Sequence, residues 1–119
     1  VINHYPMKTQ HLTRVVLRTD GFASARAGYE PGTLLTKPLR FAGSALELNL
    51  ATSAAGVVLV EILDAQGAVR ARSHEMIGDD IARKVAWEDQ RGISALAGKT
   101  VQLRFTLRDA DLFSLRFLP

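Results

Sequence analysis

The chain has 119 residues, a formal net charge of +3 from 15 basic and 12 acidic side chains, and no cysteine. That length suits one domain with one core, and without cysteine the fold must stand on packing, with no disulfide and no thiolate metal site. The arginines are scattered and form no concentrated basic footprint, so nucleic acid is not an expected partner; nor is a membrane, since no apolar run approaches the roughly 18 residues of a spanning helix.

Val1–Gln10 has no clean period and contains Pro6. It reads as a lead-in or linker, with the domain proper expected over residues 11–119. It lacks the basic stretch, apolar core and cleavage site of a signal peptide, although a mature exported domain cut from a longer precursor would look the same. From His11 the pattern has period two: Val15 and Leu17 share a face, with Arg14 and Arg18 opposite. Asp20-Gly21 signals a turn, Phe22–Ala27 a weaker strand, and Glu30-Pro31-Gly32 a tight turn in which Pro sets φ and Gly permits φ > 0. Thr33–Thr36 and Leu39–Phe41 read as a short strand pair or as one strand bent at Pro38, followed by a turn at Ala42-Gly43-Ser44.

Leu46, Leu48 and Leu50 alternate with Glu47 and Asn49, the pattern of a half-buried strand. Ser53–Gly56 turns the chain, and Val58, Val60 and Ile62 form the inner row of the most β-branched segment. Asp64-Ala65-Gln66-Gly67 is a hairpin connection, after which Ala68–Ser73 returns antiparallel. His74–Ile81 is expected to be the longest loop, Ala82–Trp87 to alternate, Glu88–Gly92 to be a polar loop, and Ile93–Gly98 to make one helical turn ended by Gly98. Val101, Leu103, Phe105 and Leu107 then share a face, Asp109-Ala110-Asp111 turns, and Phe113, Leu115 and Phe117 form the last inner row. No apolar stripe persists at helical spacing. About eight or nine strands spaced by roughly 8–12 residues predict an all-β domain. Aliphatic inner rows and uneven loops favour a two-sheet antiparallel β-sandwich, jelly-roll-like, over a barrel.

The side chains that could carry chemistry are few. His4, His11 and His74 share no metal-ligand spacing. No Gly-x-Ser-x-Gly elbow is present, and every serine sits in an ordinary strand or turn context, so no catalytic residue is expected. Asp79, Asp80, Glu88 and Asp89 flank the strand that ends in Trp87. Converging loops would let two of them act as a minimal glycosidase pair, or several hold a structural calcium ion; their plain reading is solvated turn residues. No other cofactor is implied. An aromatic ring offers a flat apolar face to a pyranose while polar neighbours bond its hydroxyls. Trp87 shares the inward face of Val85 but stands at a strand end, where its ring can lean out, and Tyr29 lies beside the Glu30-Pro31-Gly32 turn. Trp87, Tyr29, Asp79, Glu88 and Arg91 are therefore the candidate ligand contacts. Phe105, Phe113 and Phe117 read as core, as does Phe22. On the outer face of the last hairpin stand Gln102, Arg104, Thr106, Arg108, Ser114 and Arg116, an arginine-rich face that would bind an acidic sugar, dock on a neighbouring domain, or simply be solvated.

Several phrases of the chain occur together in a known family. They are Leu17-Arg18-Thr19-Asp20-Gly21-Phe22 and Gly32-Thr33-Leu34-Leu35-Thr36-Lys37-Pro38-Leu39; then Val60-Glu61-Ile62-Leu63-Asp64-Ala65-Gln66-Gly67, Gly78-Asp79, Val85-Ala86-Trp87 and Ile93-Ser94-Ala95-Leu96-Ala97-Gly98-Lys99; and finally Val101-Gln102-Leu103-Arg104-Phe105 and residues 109–117. From about His11 onward the chain resembles the C-terminal β-sandwich of large bacterial glycoside-hydrolase-like proteins, in which an upstream five-bladed propeller of the family 32/43-like type carries the catalysis. The resemblance implies that this chain is a piece of a longer protein, in a secreted or periplasmic setting, and that catalytic residues lie elsewhere. It implies a non-catalytic accessory domain, carbohydrate-binding-module-like, that holds a polysaccharide or oligosaccharide near a partner catalytic domain. The alternative is a structural domain that packs against the propeller and binds no sugar, with Gln102, Arg104 and Arg116 at the interdomain contact.

Overall fold

The alternating segments become strands because each can bury one row of side chains and leave the other row in water. The computed structural model describes residues 3–5, 9–13, 16–18 and 24–119, with side chains described for Val16 and from Ser24 onward. The described strands are β1 (Asn3–Tyr5), β2 (Thr9–Thr13), β3 (Val16–Arg18), β4 (Ser24–Ala27), β5 (Gly32–Thr36), β6 (Ala45–Leu63), β7 (Val69–Arg72), β8 (Asp80–Lys84) and β9 (Gln102–Leu118). A single 3₁₀ turn, Ser94–Leu96, sits where one helical turn is expected, and Gly98 follows it with φ of +80°.

Two long strands organise everything else. β6 and β9 run antiparallel from Ala45 opposite Leu118 to Leu63 opposite Gln102. β6 has 19 residues and the molecule is 34 Å in its longest dimension; drawn straight, such a strand would span roughly 63 Å at about 3.3 Å per residue. The two-stranded ribbon therefore folds over on itself. Its corner lies where Thr52 opposite Ala110 gives way to Val57 opposite Arg108, so that residues 53–56 face Asp109 alone. Asp109 takes a left-handed backbone with φ of 44°. A Cβ on Gly56 would stand 2.3 Å from the Asp109 carbonyl oxygen, so the corner admits only glycine there.

The fold-over makes a two-sheet sandwich. One sheet runs β2, β5, the first half of β9, the second half of β6, then β7. The other runs β8, the first half of β6, and the second half of β9, whose far edge carries β4 and β1, with β3 beyond β4. Leu46, Leu48 and Leu50 from one sheet and Val58, Val60, Ile62, Leu103 and Phe105 from the other join a single buried cluster. Each such side chain contributes about 1.5–3 kcal/mol by leaving water. Phe41 closes one end by stacking on Phe117, ring centroids 4.3 Å apart. Where β5 and β7 end, Thr36 Oγ1 accepts the Leu103 N–H and Ser73 Oγ accepts the Val60 N–H, replacing missing ladder bonds.

Several expectations are corrected. Asp109-Ala110-Asp111 does not close a hairpin; it is the corner of one continuous strand, and Ser53–Gly56 is the other side of that corner. The alternation slips with it: Leu107 and Ala110 are both buried with two residues between them, and so are Leu112 and Leu115. At the second slip Asn49 faces Ser114 and Leu50 faces Leu112, leaving Phe113 as an extra residue. Leu112 takes the core position expected for Phe113, which is only half-buried, because a bulge resets which residues point inward. Leu39 makes an isolated bridge to Val101 instead of a strand. β8 starts two residues before the alternation expected from Ala82, and the segment before it is tied down by the bridge between Met76 and Val58. Asn3–Tyr5 lies within the expected lead-in, yet pairs with Phe117, Arg116 and Leu115. Phe22 and Val15 lie outside the described residues.

Candidate functional site

The ribbon corner decides where the polar outward side chains go. Gln102, Arg104, Thr106 and Arg108 lie before it and face out from the β5–β9–β6–β7 sheet; Ser114 and Arg116 lie after it, on the outer face of the other sheet. The single arginine-rich face expected for a last hairpin is thus two faces.

Before the corner, the outward side chains enclose a trough of about 650 Å³ lined by Thr33, Leu35, Leu59, Glu61, Arg72, Arg104 and Thr106. Strand register explains the meeting. Leu35 pairs with Arg104, Arg104 with Glu61, and Glu61 with Arg72, so one row crosses four strands; Thr33, Thr106 and Leu59 form the next row. Glu61 is the row's anchor, only 7% exposed. Its Oε1 accepts from Arg104 Nε at 2.9 Å and Nη2 at 2.8 Å, and its Oε2 from Arg72 Nη1 at 3.4 Å. A carboxylate sunk this far needs charged donors, and here two strands supply them. Glu88 Oε2 stands 3.9 Å from Arg72 Nε and extends the row at its rim. Among the described residues the floor offers threonine hydroxyls and leucine side chains but no aromatic ring.

After the corner, Arg116 pairs with Glu47. These two border a smaller recess of about 220 Å³ with Asn49, Ile81 and Ser114. Gln102 is occupied by donating to the Thr36 carbonyl at 2.9 Å.

The structure does not gather the remaining candidates. Trp87 is half-buried and packs against the core, its Nε1 shielded without a hydrogen-bond partner among the described residues. Tyr29 is 82% exposed, next to Gly28, whose carbonyl accepts the Asp109 N–H at the corner. Asp79 Oδ1 accepts the Thr52 N–H. The carboxylates that converging loops could have paired are held by different strands: Asp80 begins β8 opposite Leu50, whereas the Glu88 N–H bonds the Arg72 carbonyl. Each has local company instead. The Ala82 backbone N–H, then Arg83, holds the Asp80 carboxyl below its ordinary value. The Arg91 guanidinium, then the Arg91 N–H, does the same for Asp89, and the pairing raises Arg91 in return. No three acidic or histidine side chains among the described residues stand together where a metal ion such as calcium would be held.

Glu61, Arg72, Leu59, Leu35 and Thr33 do not stand out in the sequence as site residues. The available signal was parity: with Val58, Val60 and Ile62 inward, Leu59 and Glu61 must face out, and a carboxylate in a β-branched run asks for a cation nearby.

No protein-family model matches the sequence, and no curated protein matches it at a significant level. Two solved structures are similar over nearly the whole chain. One is the C-terminal CBM6 of LamC, a marine laminarinase from Zobellia galactanivorans, with TM-score 0.67 and 11% identity over 98% of each chain. The other is CsCBM6-3 from Clostridium stercorarium, solved in complex with cellobiose, with TM-score 0.62 and 8% identity over 98% of this chain and 93% of that one. At such identities the likeness is one of fold: the chain has the β-sandwich architecture of these two modules.

Proposed function

We propose that this domain is a non-catalytic, carbohydrate-binding-module-like unit that holds an oligosaccharide in the trough across β5, β9, β6 and β7. The observation that carries the reading is the trough itself, about 650 Å³ on the outer face of a sandwich whose fold is shared by a module solved with cellobiose. A sheet face is a rigid platform, and the Glu61-anchored arginines present donors whose positions are set before a ligand arrives. Of the candidates Trp87, Tyr29, Asp79, Glu88 and Arg91, Glu88 stands next to the trough row through Arg72 and is proposed as an accessory contact. The domain would serve a catalytic partner domain of a secreted or periplasmic carbohydrate-active protein.

A second reading has its own support. Arg116, paired with Glu47, borders a recess of about 220 Å³ beside the 83% exposed Ile81, on the face opposite the trough where an interdomain contact through Arg116 would fall. In that reading the domain buttresses a propeller through the face of β8.

The test is calorimetry of the whole chain against a glycan panel that includes cellobiose and laminari-oligosaccharides, with Thr106→Trp as a trough-filling variant. Thr106 points outward, so the fold should be kept while binding weakens about tenfold or more, the effect of losing contacts worth roughly 1.4 kcal/mol. Binding that ignores Thr106→Trp would place the ligand elsewhere, and no binding to any glycan would sink the reading.

A further inference from the structure

The trough's chemistry differs from what a neutral sugar asks of a binding surface. Neutral pyranoses are held largely by stacking on aromatic rings, and among the described residues no ring lines this trough. Instead two guanidinium groups, Arg104 and Arg72, meet one buried carboxylate, Glu61. Glu61 is shared between the two, and the exposed Glu88, 3.9 Å from Arg72, offsets the second charge only from the rim. Arg108, two residues beyond Thr106 on the same outer face, adds a third cation; its Nη2 donates to the Ala55 carbonyl at 3.4 Å, and no carboxylate pairs with it among the described residues. Arg104 spends Nε and Nη2 on Glu61, which leaves Nη1 outside those bonds, and Arg72 spends Nη1, which leaves Nη2.

We infer that the trough takes an anionic saccharide, whose uronate carboxylate or sulfate ester is bound by Arg104 and Arg72 while Glu61 holds the two guanidinium planes in place; this rests on the glycan-binding reading above. Planar, always-charged guanidinium forks suit acceptors with two or more oxygens. Thr33 and Thr106 offer hydroxyls to the sugar ring alongside. Glu61 is a positioning residue in this scheme, and the acidic group never touches it.

The experiment titrates the whole chain with an oligogalacturonate, a sulfated galactan oligosaccharide and cello-oligosaccharides, at low and at moderate salt. The variants are Arg72→Gln, whose side chain is half-exposed, and the double change Arg104→Gln with Glu61→Gln, which removes a cation and an anion together so that no lone charge is buried. Lys84→Gln, on β8 of the other sheet, is the charge-matched control. At least one acidic ligand should bind more tightly than the neutral ones, lose about tenfold in Arg72→Gln and in the double variant, as charge-assisted hydrogen bonds predict, and weaken further with salt. The uronate and sulfate arms separate the two sources of the anion. Lys84→Gln should leave binding unchanged; an equal loss there would reduce the effect to bulk charge and overturn the inference. Cello-oligosaccharides binding in the trough as tightly as the acidic ligands would overturn the inference and keep the glycan reading. No binding by any arm would overturn the inference, and no binding across the wider glycan panel as well would overturn both.

Discussion

β9 passes through both sheets, and its two halves present similar outward residues to different neighbours. Before the corner, Arg104 lies between Leu35 of β5 and Glu61 of β6, with Arg72 of β7 next in line, and the result is a four-strand trough around a carboxylate tied to two arginines. After the corner, Arg116 lies between Glu47 of β6 and His4 of β1, and the described result is a single ion pair beside a recess one-third the size. The strand and its alternation are shared. What differs is the flanking pair: β5 and β7 on one side of the corner, β1 and β8 on the other. An arginine on a sheet face acquires its role from cross-strand register, which is why the sequence pattern alone reads both halves as one surface.

The largest effects should come from the core the two halves share. Phe105→Ala and Phe117→Ala take one fully buried ring from each side of the corner, and each should lose about 4 kcal/mol in urea unfolding. A much smaller loss for either would mean that the halves pack separately. Gly56→Ala attacks the corner itself. A methyl 2.3 Å from the Asp109 oxygen forces the ribbon open and should cost about 3 kcal/mol; an unchanged denaturation midpoint would show that the corner has slack.

Smaller effects should separate the two faces. Glu61→Gln loosens both Arg104 and Arg72 and should cost about 1–2 kcal/mol, whereas Glu47→Gln loosens only the pair with the 40% exposed Arg116 and should cost about 1 kcal/mol or less. Equal costs in parallel melts would erase the distinction drawn between the halves. The smallest effect is a titration. Asp89 and Asp80 both have depressed folded-state values, so each contributes stability that is present above the ordinary carboxylate value of 3.8 and lost as pH falls through the lower folded value. Arg91→Gln should return Asp89 toward 3.8 more than Arg83→Gln returns Asp80, because the Ala82 backbone N–H leads for Asp80 and survives the change. Carboxyl NMR titration of both variants would decide it.

Period-two alternation made the inner rows legible wherever the strand was regular: Leu46, Leu48 and Leu50, Val58, Val60 and Ile62, and Leu103, Phe105 and Leu107 are all buried. It failed at Phe113, since a bulge adds a residue without leaving a Gly or Pro signature, and at Asp109, where a corner and a hairpin turn use the same residue types. Of the trough, Arg104 was recognisable as an outward arginine, but Glu61 stands 43 residues before it and Arg72 is 11 residues from Glu61. Local pattern determines which side of a strand a residue takes, because the pleat alternates residue by residue. Only the tertiary structure decides which strands lie together and in what register, and hence that one outward arginine joins a trough while another, twelve positions on in the same strand, pairs with Glu47 on the other face.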